Sequence, residues 1–239
     1  MGRIFEKRKH RMFARYAKMA RTFTRLAKEI AMAAKANGPD PDKNPRLRMV
    51  IQNSKAVNMP KANVEAAIKR ATSKEEKDFE EIVYEGYAPY GVAVLIETAT
   101  DNPTRTVANV RMYFNRANGA LGKTGSLDFM FDRKAVFKIN AENRNIEDLE
   151  LELIDFGAGE LIQDENHIDI YTPYTEFGNM QKGLESLGIE VVSADLERFP
   201  NTFKEGLTPE QQAEVLAMIE KIEDDEDVQN VFHNMHEDE

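Results

Sequence analysis

The chain of 239 residues contains no cysteine and no tryptophan. The first absence excludes disulfides, thiolate metal sites and a cysteine nucleophile. Histidine is scarce, with four in all. His233 and His236 share the acidic tail HNMHEDE, where no third ligand is fixed by structure, so they read as solvated residues. His10 and His167 have no Ser or Cys partner that the sequence identifies. No run approaches the roughly 18 to 20 apolar residues that span a bilayer. The opening MGRIFEKRKH has no apolar h-region, so it is not a secretory signal. These absences predict a cytoplasmic protein with no membrane contact, no metal, no cofactor and no catalytic constellation, and hence not an enzyme.

Negative charge is missing from one end. Residues 1–79 hold 20 Lys+Arg against 8 Asp+Glu, and residues 80–239 hold 12 against 34. No acid lies between Lys7 and Lys28. The whole-chain charge of -10 conceals a basic head on an acidic body. Such a split predicts that the head meets a polyanion and the body does not.

The head reads as helical. Met19, Phe23, Leu26, Ile30 and Ala33 form one apolar stripe at alternating steps of four and three, predicting a helix over 18–36. Lys18, Arg21, Arg25, Lys28 and Lys35 recur with the same period and centre roughly opposite that stripe. Asn37-Gly38-Pro39 ends the helix, because Gly fits a left-handed cap and Pro cannot continue. Asn44-Pro45 starts a second helix and Pro60 a third. Residues 72–78 (TSKEEKD) have no apolar period and read as a linker.

The texture then changes to α/β. Strands are expected at 81–85, 92–97 and 127–131, with a helix over 103–118 and a loop over 119–126. From Ala135 the order is β-α-β-β-α-β, the ferredoxin-like split. A helix over 208–223 and a strand over 228–233 close the chain and are expected to complete the middle segment. The expected domains are therefore 1–79, 80–133 plus 200–239, and an inserted 134–199.

Cations repeated on one rigid face neutralise several phosphates of a nucleic acid at once. The leader adds Lys7, Arg8, Lys9, Arg11 and Arg15 to the helix row. A merely solvated helix face usually mixes signs, so nucleic-acid binding is the reading preferred here. Tyr84, Tyr87 and Tyr90 offer stacking surfaces, although core and turn packing explain them as well. Gly122-Lys123-Thr124 looks like the end of a P-loop, but Ala117 stands where that motif needs glycine. It reads as a Gly-rich connection exposing Lys123. The acidic run over 223–227 (EDDED) lacks the spacing of a calcium loop. It is read as solvated, or as folding back to compete with nucleic acid for the head.

Several stretches together resemble one family: TFTRLAKEI (22–30), GPDP (38–41), NPRLR (44–48), AVNMPK (56–61), YEGYAPYGV (84–92), TDNPTRTV (100–107) and MFDRK (130–134). The chain resembles the YebC/PmpR family, related to mitochondrial translational activators of cytochrome oxidase. The resemblance implies an α+β fold of three domains, an N-terminal helical module followed by two ferredoxin-like α/β domains around a cleft. It implies a DNA-binding transcriptional regulator acting on promoter DNA. The alternative it carries is a ribosome-associated translation factor that binds rRNA and eases elongation through proline-rich sequences. Implied binding residues are Arg25, Lys28, Arg46, Arg48, Lys55 and Lys61. The acidic α/β domains are left to meet a protein partner. Many members carry a Lys-Trp pair in the leader, where this chain has RIFEKRK (3–9).

Overall fold

The computed structural model describes residues 2–73, 78–141, 144–164 and 166–236, with side chains from residue 18 onward. Helix α1, Gly2–Asn37, runs unbroken from the leader through the expected segment. It stops at Gly38, whose φ of 92° suits a residue without a Cβ. Helix α2, Pro45–Ala56, begins at Asn44, whose Oδ1 accepts from the Leu47 N–H at 3.1 Å. The buried Asn44 amide also donates to the carbonyls of Ala33 and Gly38, both at 2.8 Å. One side chain thus caps α2 and ties it to the end of α1. Helix α3, Lys61–Ala71, completes the head. Leu26, Ile30, Ala33, Leu47, Val50, Val64 and Ala67 form its buried core.

Two four-stranded antiparallel sheets make the body. The first uses β1 (Glu80–Tyr87), β2 (Ala93–Thr100), the short β3 (Ala120–Leu121) and β8 (Val228–His233), in the order β3-β1-β2-β8. Helices α4 (Pro103–Arg116) and α7 (Pro209–Glu223) supply its core partners, with Val94, Ile96, Val110, Phe114, Val215 and Ile222 buried together. Asn102 caps α4, and Thr208 with Gln211 forms a capping box on α7, each ahead of a proline. Residues on the other face of β2, Ala93 and Leu95, pack on Leu127 and Phe131. The central strand is therefore covered on both sides.

The second sheet holds β4 (Phe131–Asn140), β5 (Glu160–Asp164), β6 (His167–Pro173) and β7 (Val191–Pro200), in the order β5-β6-β4-β7. With α5 (Ile146–Leu153) and α6 (Phe177–Ser186) this is the β-α-β-β-α-β order expected from the sequence. Phe137, Ile139, Ile168, Ile170, Leu149 and Met180 are buried between sheet and helices. Arg198 on β7 joins the sheets, donating from Nε to Glu97 at 2.8 Å and from Nη1 to Asp128 at 3.1 Å.

One expected strand is absent. Residues 128–130 form a 3-10 turn, and the strand begins only at Phe131. The backbone N–H groups of Gly125 and Leu127 point instead at the Glu85 carboxylate, at 2.8 and 2.6 Å. The Leu127 N–H is thereby engaged and unavailable to a ladder.

The head is fastened to β7 through α2. The Asn53 side chain accepts from the Ala194 N–H at 2.9 Å and donates to the Ala194 carbonyl at 2.9 Å. It also donates to Asp195 Oδ1 at 3.0 Å, and Gln52 donates to the Val191 carbonyl. The amide reproduces the paired bonds of a neighbouring strand. Asn53→Ala leaves a buried N–H and C=O without partners, a loss of about 2–4 kcal/mol. Amide exchange at Ala194 is expected to accelerate accordingly, and unchanged protection would show the docking to be dispensable.

Glu29 of α1 lies where the three parts converge. Its carboxyl is pushed up to about 7, first by desolvation and then by Asp195, with Glu81 and Glu97 adding and Arg46 opposing. The folded state therefore holds this proton more tightly than the unfolded chain does. That contribution is present below the unfolded value near 4.5 and is lost as pH rises through 7. Glu29→Gln is expected to raise stability by about 1–2 kcal/mol at pH 8.5 and by much less at pH 4.5. Urea unfolding at the two pH values checks this; an equal gain at both would contradict it.

Candidate nucleic-acid interface

The cation row of α1 faces the chain's own acidic turn. Arg21, Arg25 and Lys28 follow steps of four and three and so share a face. Arg21 pairs with Asp224. Arg25 Nη2 donates to the Glu223 carbonyl at 2.7 Å. Lys28 Nζ donates to the carbonyls of Ala99 at 3.0 Å and Glu226 at 2.7 Å and to Asp227 Oδ1 at 3.0 Å. The acidic run over 223–227 follows the last turn of α7, whose free carbonyls carry the negative end of the helix dipole. Burial lowers the Arg25 guanidinium from its ordinary value and Arg21 adds to this, while Glu223 opposes.

Asp227 is the centre of this contact, with 1 % of its side chain exposed. Its carboxylate receives Lys28 at 3.0 Å, Arg105 Nη2 at 2.6 Å, Thr106 Oγ1 at 2.9 Å and Thr100 Oγ1 at 3.2 Å. Burial alone would push its carboxyl up, but the bonds from Arg105, Lys28 and Thr106 outweigh that and hold it below the usual carboxylate range. The TDNPTRT stretch therefore has a local purpose. Thr100 accepts from the Asn102 N–H at 2.9 Å, Asn102 and Pro103 start α4, and the first turns deliver Arg105 and Thr106 to Asp227. Asp225 is equally engaged, accepting from Asn109 at 2.9 Å and from the Tyr113 hydroxyl at 3.0 Å. Desolvation and that bond push Tyr113 up to about 12. The run is structured against α1, α4 and β2, and is not a solvated tail.

The other expected cations are dispersed. Lys35 pairs with Asp78, and Arg46 with Glu81. Arg48 lies 3.6 Å from Glu185. Lys18 and Lys55 are exposed. Lys61 is exposed and lies 3.6 Å from Glu65 one turn along α3. The side chains of Lys7, Arg8, Lys9, Arg11 and Arg15 lie outside the described residues. The structure thus brings Arg21, Arg25 and Lys28 together, and sets Lys55 and Lys61 at the two ends of the α2–α3 corner.

The Gly-rich connection encloses an anion that belongs to the chain. Besides the two backbone donors, Ser126 Oγ reaches Glu85 at 3.4 Å, and the Gly122 N–H bonds the Glu85 carbonyl at 2.7 Å. Glu85 is buried and occupies the position that a bound phosphate would take in a nest of N–H groups. Lys123 remains exposed. Of the tyrosines, Tyr84 packs against the first core, whereas Tyr87 and Tyr90 are exposed. Tyr90 sits at a φ of 64°, and its hydroxyl donates to Glu214. His236 stacks edge-on against Phe203. Among the described residues no cluster of three or more His, Asp or Glu could hold a metal ion. Nor is any helix among them long and apolar enough to cross a membrane. Sequence reasoning named Asp227 only as part of the acidic run and passed over Arg105 and Glu85. The only signal was their place inside TDNPTRTV, EDDED and YEGY.

The TACO1/YebC protein N-terminal domain matches residues 3–74, and the TACO1/YebC second and third domain matches residues 79–235. A "Probable transcriptional regulatory protein" of Parabacteroides distasonis is 56% identical over 239 residues, covering 100% of this chain and 98% of that one. One from Cytophaga hutchinsonii, with the same description, is 58% identical over 237 residues, covering 99% of each. A crystal structure of the "Conserved Hypothetical Protein Aq1575" from Aquifex aeolicus superposes with a TM-score of 0.78 at 35% identity, over 91% of this chain and 90% of that one. With both halves of the fold matched and full-length relatives above half identity, the chain belongs to the TACO1/YebC family.

Proposed function

We propose that this protein is a non-enzymatic regulatory protein that binds nucleic acid through its helical head, in the first instance promoter DNA. The observation that carries this is the partition of charge: 20 Lys+Arg against 8 Asp+Glu in residues 1–79, and the reverse excess beyond. Relatives named as probable transcriptional regulatory proteins support it. The body repels a polyanion while the head attracts it, which orients the molecule before contact. Lys18, Lys55 and Lys61 are exposed and ready to meet phosphates, whereas Lys28 is committed to Asp227. Phosphate chemistry is shared by DNA and by rRNA on a ribosome, so the charge pattern serves a translational role as well.

Footprinting on promoter DNA, set beside co-sedimentation with ribosomes, separates the two targets. For the head itself, Lys55→Glu with Lys61→Glu is expected to weaken binding about tenfold at 100 mM salt. The slope of log affinity against log salt should flatten by about 2. Unchanged affinity and slope would remove the α2–α3 corner from the interface.

A further inference from the structure

The contact between α1 and the acidic turn uses the same chemistry as a phosphate contact. Its acceptors include the Asp224 carboxylate and the carbonyls of Glu223 and Glu226, oxygens at and just beyond the negative end of α7. Its donors are guanidinium and ammonium groups at helical spacing. A guanidinium held by one anion is not free to fork onto another.

The contact is also graded along α1. At its inner end Lys28 and Asp227 are 12 % and 1 % exposed. At its outer end Arg21 and Asp224 are 44 % and 51 % exposed. An ion pair half exposed on both sides is weak and screened by salt, whereas breaking a buried pair leaves a charge stranded in low dielectric. The outer end points along α1 toward Lys18, which is exposed and one turn away. Closely spaced phosphates approaching from that side meet the weak end first.

We infer that the turn over 223–227 is an internal competitor for phosphates. A nucleic acid seated along α1 takes Arg21 from Asp224 and Arg25 from the Glu223 carbonyl, while Lys28 and Asp227 stay closed as a pivot. The turn thereby sets a threshold: isolated anions do not displace it, and a strand of phosphates does. This rests on the nucleic-acid reading above.

The test uses the full chain, a 20-base-pair DNA duplex and an RNA hairpin of equal charge, with binding followed by anisotropy. Asp224→Asn removes the competitor's charge at a half-exposed site, so thermal unfolding should be unaltered. It is expected to tighten binding to both probes by about three- to tenfold. Asp155→Asn, the same charge change on an exposed residue of the second sheet's domain, should tighten it less than about twofold. In an Arg21→Ala background the gain from Asp224→Asn should vanish. The competition is overturned if Asp224→Asn does no more than Asp155→Asn, or if its gain persists without Arg21. If neither the wild type nor Asp224→Asn binds either probe at low salt, the nucleic-acid reading falls and the competition with it. Binding by the wild type that Asp224→Asn leaves unchanged overturns the competition alone.

Discussion

A single buried carboxylate organises the approach of the head to the body. Asp227 gathers a lysine from α1, an arginine and a threonine from α4, and a second threonine from the end of β2. An unpaired charge at such depth would be very costly, so the four donors have to be present together. That requirement fixes where α1 crosses the first sheet, how α4 begins and where α7 ends. Replacing such a network with apolar groups often leaves stability unchanged. Its contribution here is geometric: Lys28 is the α1 cation brought to Asp227, opposite Arg105 and Thr106 of α4.

The second attachment works differently. Asn53 and Gln52 bind mainly backbone groups of β7, with one added bond from Asn53 to the Asp195 carboxylate. The two attachments sit on different domains of the body, and Glu29 lies between them among carboxylates of both. The head is thus a clasp across two sheets as well as a bearer of charge. Its cations divide into those that hold the clasp and those left exposed.

Much of this was legible in the sequence because it is local. The stripe of α1, the proline-led helix starts after Asn44, Asn102 and Thr208, and the β-α-β-β-α-β order are each written within a few residues. The individual partners of Arg21, Arg25 and Lys28 were not legible beyond the expectation that the acidic run could fold back on the head, because most come from positions about two hundred residues away. Periodicity reports that a helix has two faces and does not say what covers the second. The strand expected over 127–131 failed for a related reason. Glu85, forty-two residues before Leu127, takes the Leu127 backbone donor that pattern alone assigns to a ladder. In the site, charge density drew attention to the cations and to the acidic run alike, but not to which acid meets which cation.

The Asn53 contact has a consequence for the body taken by itself. β7 is the outermost strand of its sheet, and α2 is what covers it. Stripped of the head, that strand would leave the Val191 carbonyl and the Ala194 N–H and carbonyl without these partners, on an edge of the kind at which sheets join. The helical module therefore covers a sheet edge as well as bearing charge.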